Sequence, residues 1–321
     1  MNKLDTEIRH IVVVSDLHVG STIALCPPRG IKLDEGQPVG LSNEQRTLWA
    51  WWRVFWDTFV PSVVDGHPYA VVVNGDAIDN DHHNTYQVWG RDPNLHVRAA
   101  AKLLRPELKK AARHFIVRGT EAHAGSNATH EESLARQLAG VPGVDEFSRG
   151  DEGWEPVSHW ELLLQAGPYR LNFAHHIGTT SSAAYEHSAL SRELVADFVE
   201  CARWGDEPCD FAVRSHRHRA SAVSLPTERG LATVYVTPGW QLKTGFVRRL
   251  GASMRRPQIG GVVIYYDDFG LHYKGWTKAW PRQAALPLTP RAARRMLSVG
   301  TSSSRRSGPT KAAKGRRRQK S

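Results

Sequence analysis

No stretch of the 321-residue chain reaches the roughly 18 consecutive apolar residues that a membrane-spanning helix needs. The opening residues MNKLDTEIRH contain no apolar run of the kind that marks a secretory signal, so none is expected. Cysteine is scarce. Cys26, Cys201 and Cys209 neither come in metal-binding pairs nor offer a disulfide framework, and a reducing, cytoplasmic setting is the expectation. Acid is missing from residues 291–321, which hold 11 of the 42 Lys and Arg. Histidine is nearly missing late in the chain: of 16, only His272 lies beyond residue 218. No internal repeat is visible.

The net charge of +10 suggests a nucleic-acid partner, but its location matters. The body, residues 1–290, keeps 31 basic side chains against all 32 acidic ones and is nearly neutral. The tail carries the excess, and from about residue 298 it is Ser, Gly, Lys and Arg with little to bury. It reads as disordered, either an arm that releases counterions from nucleic acid or a solubilising terminus. The expected organisation is therefore a 1–290 domain followed by a basic 291–321 tail.

Within the body, apolar β-rich runs fall at residues 11–15, 69–74, 114–118, 170–174, 210–214, 232–237 and 261–266. Helical patterns lie between several of them. Leu48, Trp52, Phe55, Trp56 and Phe59 recur at helical spacing and suit a core better than a cofactor site. THEESLARQLAG reads as a helix opened by a capping box of Thr129 and Glu132 and closed at Gly140. A third helix ends near Gly205. The alternation argues for an α/β fold, with the last strands free to pair antiparallel.

The chemistry gathers where these strands end. The first closes as VVVSDLHVG, with Asp16 and His18 two residues apart, a spacing that on an extended strand puts both on one face. The next closes as GDAID, with Asp76 and Asp79. Then come GTEAH, with Thr120, Glu121 and His123; AHH, with His175 and His176; and SHRH, with His216 and His218. Each motif alone is a common turn. Five consecutive strand ends carrying carboxylates or imidazoles form a pattern, because ligands of open α/β sheets sit beyond the carboxyl ends of strands.

The ordered set DLH, GDAID, GTEAH, AHH and SHRH resembles the calcineurin-like metallophosphoesterases, across most of the body but not the tail. The resemblance implies a metallophosphoesterase-like αββα sandwich, with mixed central sheets flanked by helices, and two divalent metal ions of the Mn, Fe, Zn or Ni type. Asp16, His18 and His218 would hold the first ion and Asp76 would bridge both. His216 and His175 would hold the second, with His176 the competing choice. His123 would be the catalytic acid, and Asp79 would orient it.

Two departures from that family stand out. Its Asn ligand is replaced, so Thr120 coordinates weakly, Glu121 reaches in, or the second site is loose. Ser215 stands where the family has Gly.

The residue types fit phosphoester hydrolysis independently. Two ions can acidify a water and neutralise charge on phosphoryl oxygens, mixed His and carboxylate ligation suits transition metals rather than calcium, and one acid then suffices. A phosphodiesterase or nuclease is the leading reading, a phosphomonoesterase the alternative, and a metal-binding scaffold that delivers the tail a third. The substrate is expected to be a phosphate ester, with nucleic acid a partner of the tail and no membrane. Secondary candidates are His82 and His83, Trp89 with Arg91, and Trp240 with Gln241, where Trp240 either stacks on a base or packs in the core.

Overall fold

The first strand has two interiors. Val12 and Val14 belong to one apolar cluster, Ile11 and Val13 to another, because successive strand side chains point to opposite faces. A strand buried on both faces needs cover on both, and the layers follow from that. In the computed structural model, which describes residues 7–33, 35–80, 87–139, 157–178, 185–249 and 256–281, two sheets stack and helices cover their outer faces.

The strands are β1 (His10–Val14), β2 (Ile31–Lys32), β3 (Pro38–Val39), β4 (Tyr69–Asn74), β5 (Arg113–Val117), β6 (Ser158–His159), β7 (Glu161–Ala166), β8 (Tyr169–Ala174), β9 (Phe211–Arg214), β10 (Ser221–Thr227), β11 (Gly230–Val236), β12 (Gln258–Asp267) and β13 (Gly270–Ala279). The first sheet runs β13-β12-β1-β4-β5-β6 and the second β10-β11-β9-β8-β7, with β2 and β3 a small separate pair. β1, β4, β5 and β6 are parallel, while β12 joins β1 antiparallel. In the second sheet β8, β9 and β11 are parallel. Parallel neighbours put their carboxyl ends on one edge.

The helices are α1 (Asn43–Val54), α2 (Val60–Val64), α3 (Pro93–Leu108), α4 (Glu121–Ala124), α5 (Thr129–Leu138), α6 (Glu186–Trp204) and α7 (Gly245–Arg249). Leu48, Trp52, Leu104 and Leu134 from α1, α3 and α5 pack with Val12, Val14, Val71 and Val73 on the outside of the first sheet. Val13, Val72, Phe173, Phe211 and Val213 meet between the sheets. Leu190 and Leu194 of α6 close on Val234 and Val236 outside the second. The result is the expected αββα sandwich.

The aromatic stripe is core throughout. A π-helical turn, Phe55–Phe59, links α1 to α2 and lets Phe55, Trp56 and Phe59 all face inward. Trp240 is also fully buried, 4.9 Å from Trp52 between ring centroids, so it packs and does not stack on a base.

Two local expectations change. α3 was not anticipated, although Asp92 caps it and Pro93 begins it. The capping box at Thr129 does not form: the residue before α5 is Ala128, and Glu132 instead accepts from the Val157 and Ser158 amides, fixing the start of β6. α6 does end at Gly205, which adopts a left-handed cap. All these elements fall in one compact unit, Met1–Trp280. The expectations for the basic tail, and for His82 and His83, fall outside the described residues.

Trp52, fully buried, packs edge-on against both Trp56 and Trp240 in that core. Trp52→Ala is expected to lower stability by about 3–5 kcal/mol, read as a fall in the urea midpoint.

Candidate metal centre

Beyond Val14 the chain leaves the extended conformation. Asp16 and His18 both have positive φ, 51° and 44°, and so do Asp76 (50°), His216 (69°) and His218 (51°). The convergence of Asp16 and His18 thus comes from left-handed turns at the strand ends and not from strand alternation. Non-glycine residues in this region are strained and persist where the surroundings impose them. Here the main chain imposes them: Asp16 N donates to Gly75 O, His18 N to Asp76 O, Ser215 N to His175 O and Trp240 N to Asp16 O, all at 2.8–3.0 Å.

These turns bring six of the expected ligands together. Three overlapping groups, Asp16–His18–His218, His18–Asp76–His123 and Asp76–His175–His216, each have ligand atoms within 4.8 Å of one another. Asp16 and Asp76 are 0% and 1% exposed. His175 Nε2 lies 3.0 Å from Asp76 Oδ2, and His218 Nε2 lies 3.3 Å from Asp16 Oδ1. The Nε2 atoms of His18 and His218 face each other at 3.1 Å.

Asp16 Oδ1 is buried without a well-formed hydrogen bond, yet three imidazole nitrogens lie 3.3–4.0 Å away. A buried carboxylate oxygen facing imidazole nitrogens is a donor set for a transition-metal cation, so the residues fit such an ion. His175 is a ligand candidate by position, whereas His176 is exposed. Glu121 stays outside the cluster. It opens α4 and is exposed, because the chain turns helical directly after Thr120. Thr120 adjoins the cluster through Asp76: its amide and hydroxyl both donate to that carboxylate, at 2.8 and 3.1 Å.

Asp79 also differs from expectation. Its carboxylate accepts from His18 Nδ1 (3.0 Å) and from Gln241 Nε2 (2.9 Å), while its main-chain carbonyl accepts from His123 Nδ1 (2.8 Å). One residue thus fixes the tautomers of a ligand and of the candidate acid through different atoms. Trp89 is half-buried against the core and Arg91 is exposed, and neither belongs to the cluster.

Sequence reasoning missed two supports. Gln241 was noted only as Trp240's neighbour. Glu131 of α5, fully buried, receives the amides of Ala77 and Gly119 and so clamps the two turns that carry Asp76 and Thr120. Gly119 is required there: a Cβ would sit 2.1 Å from Asp76 Oδ1. Burial, reinforced by the charge of Asp76, pushes the Glu131 carboxyl up to about 7.

Electrostatics follow the same contacts. Burial disfavours charge on Asp16, but His218 and His175 outweigh it and carry its pKa down to about 2. Burial likewise opposes charge on His175, but Asp76 and Asp16 raise its pKa to about 10. Burial, with His175 beside it, lowers His216 to about 4.

No protein-family model matches the chain, and no curated protein matches it. Among solved structures it is similar to Vps29 complexed with zinc from Entamoeba histolytica, at 10% identity, covering 84% of this chain and 98% of that one with a TM-score of 0.36. It is also similar to a metallophosphoesterase from Sphaerobacter thermophilus, at 10% identity, covering 91% and 94% with a TM-score of 0.34. At such identities the roles of single residues rest on this chain's own geometry.

The raised His175 pKa makes metal uptake proton-coupled. Below pH 10 the metal-free imidazole holds a proton that an incoming cation must displace. Apparent metal affinity is therefore expected to climb with pH toward 10, and calorimetry in buffers of different ionisation enthalpy should register proton release. In the metal-free protein, the stabilisation from His175 is full below pH 6.5 and lost as pH rises through about 10. That from Asp16 is full above 3.8 and lost as pH falls through about 2.

Proposed function

We propose that this chain hydrolyses phosphate esters with two divalent ions, as a phosphodiesterase or nuclease acting on nucleic acid or nucleotides. The observation that supports this is the run of three overlapping groups, Asp16–His18–His218, His18–Asp76–His123 and Asp76–His175–His216, linked through His18 and Asp76. Asp16, His18 and His218 would hold one ion and His175 with His216 the other, with Asp76 common to both. Such ions, when bound, acidify a water and neutralise charge on the phosphoryl oxygens.

The chain's own residues position and deliver protons around that chemistry. Asp79 holds the His18 ring with Nε2 toward Asp16 and His218. Gln241 in turn holds Asp79. His123 keeps its Nδ1 proton on the Asp79 carbonyl, so when the ring is protonated Nε2 can give its proton to the leaving oxygen. Thr120 steadies Asp76 in place of a stronger ligand. A diester is favoured because the pocket of about 330 Å³ that takes in Asp76 and His123 is also lined by Leu242, Val247 and Pro257, apolar surface that a phosphate alone would not use. The basic tail would add affinity for nucleic acid, and a cytoplasmic setting agrees with the three free cysteines. Among the described residues no helix is long and apolar enough to cross a membrane.

Metal-dependent turnover of bis(p-nitrophenyl) phosphate should exceed that of p-nitrophenyl phosphate. The reverse order would indicate a monoesterase, and no turnover of either, with metal bound, a scaffold. Asp76→Asn should abolish turnover while the fold persists, as judged by circular dichroism. His123→Ala should lower turnover by roughly 10²–10⁴-fold at constant metal content, and by less for diesters with good leaving groups. Deleting residues 298–321 removes eight basic side chains and no acidic ones. It should leave the small diester unaffected and flatten the salt dependence of nucleic-acid binding.

A further inference from the structure

Helix α3 buries one face on the first sheet and shows charge of a single sign on the other. After its first turn the exposed positions are Arg98, Lys102, Arg105 and Pro106, and the exposed Lys109 follows its last turn. Lys102, Arg105 and Lys109 stand three and four residues apart, so their Cβ atoms are neighbours at roughly 5–6 Å. All three line one groove of about 500 Å³, which Gln137 at the end of α5 also lines.

A solvated helix face ordinarily mixes signs. α6 does so: Arg203 pairs with Glu200 at 2.8 Å. The groove on α3 has no carboxylate among its described lining residues. The one acid of the helix, Glu107, is buried and held by Arg53 and Lys110. Arg98 is already answered by Asp92, 3.8 Å away. Lys102 and Lys109 have no ion pair among the described residues. Arg105 donates to the Gln137 main-chain carbonyl at 3.1 Å, a neutral group that leaves the guanidinium charge in place.

Three cations spread over about 10 Å of a rigid helix match a rigid row of anions. One strand of B-form DNA offers a phosphate about every 3.4 Å along the axis, so the row covers about three base-pair steps. Single strands are gripped differently, by aromatic side chains on which bases stack, and the groove has none among its described lining residues. It also lacks the Trp, Phe or Leu with which a basic helix enters a lipid surface.

We infer that Lys102, Arg105 and Lys109 form a docking surface for duplex nucleic acid, which they hold by its phosphates and without regard to sequence. The surface lies beside the metal centre and not in it. Asn80 N donates to His96 Nδ1 at 3.2 Å, which sets the start of α3 against the turn that carries Asp79, and Lys102 follows His96 by about 9 Å along the helix axis. Its duty is to hold the polymer, and it does not depend on the phosphodiesterase reading.

The test is the fluorescence anisotropy of a short labelled duplex titrated with the full-length protein over a range of salt, so that the basic tail is the same in parent and variants. Lys102→Ala and Lys109→Ala should each weaken binding about fivefold near physiological salt and lower the slope of log affinity against log salt by about 0.9, the duplex value for one lost phosphate contact. The double variant should lose about twice that slope. Lys102→Arg should keep the parent's affinity and slope, and a duplex of unrelated sequence should respond in the same way. The urea midpoint of each variant should stay as in the parent, because both lysines are exposed. No binding by the parent, or an unchanged slope in the double variant, would overturn the surface. A larger loss for a single-stranded oligonucleotide, or for vesicles containing phosphatidylserine, than for the duplex would overturn the duplex as its occupant.

Discussion

Two carboxylates, Asp16 and Asp76, lie buried side by side where the first sheet meets the second, and almost everything around them answers that fact. Buried charge is costly unless it is paired. The chain supplies the pairing from four strand ends, as imidazoles near carboxylate oxygens. It holds the geometry with a further layer: Ser15 donates to Asp16, Thr120 to Asp76, and Asn74 takes the far nitrogen of His175 on its carbonyl. Even so, one oxygen of Asp16 is left facing imidazole nitrogens with no proper hydrogen bond. Oxygen and imidazole nitrogens so disposed are a donor set that fits a cation.

The two-sheet architecture exists to deliver these ends to one place. β1, β4 and β5 bring Asp16, His18, Asp76 and Thr120 from one sheet, and β8 and β9 bring His175, His216 and His218 from the other. The main-chain bonds that continue past the strands then rotate the ligands inward through left-handed turns. Five candidate ligands, Asp16, His18, Asp76, His216 and His218, carry the strain of those turns, which is where a binding site gains from a backbone that cannot relax.

Much of this was legible in the sequence. All seven β-rich runs are strands, and the ordered carboxylates and histidines do converge, because buried apolar runs and strand-end polar residues leave a short-range signature. What was not legible depended on tertiary context. The left-handed φ of Asp16 and His18 is imposed by Gly75 and Asp76, distant in sequence. Glu132 looked like a capping residue but serves β6, and its neighbour Glu131 is the one that reaches the site. Glu121 looked like a ligand, yet the helix that begins there removes it. α3 had both an Asp cap and a Pro start, signals that were present and unread.

The span of chain between the ligands has a consequence for how the protein comes to exist. His18 and His218 meet across 200 residues, and His175 meets Asn74 across 101. No contiguous half of the chain contains the Asp16–His18–His218 group, so beyond the His18–Asp76–His123 group the centre is incomplete in a nascent chain until its later strands have emerged. Closing such long loops is slow relative to forming local helices, which places assembly of the centre among the last events of folding. A cation held there then joins the two ends of a very long loop, much as a cross-link would, and the reward for completing the fold arrives only when both sheets have docked.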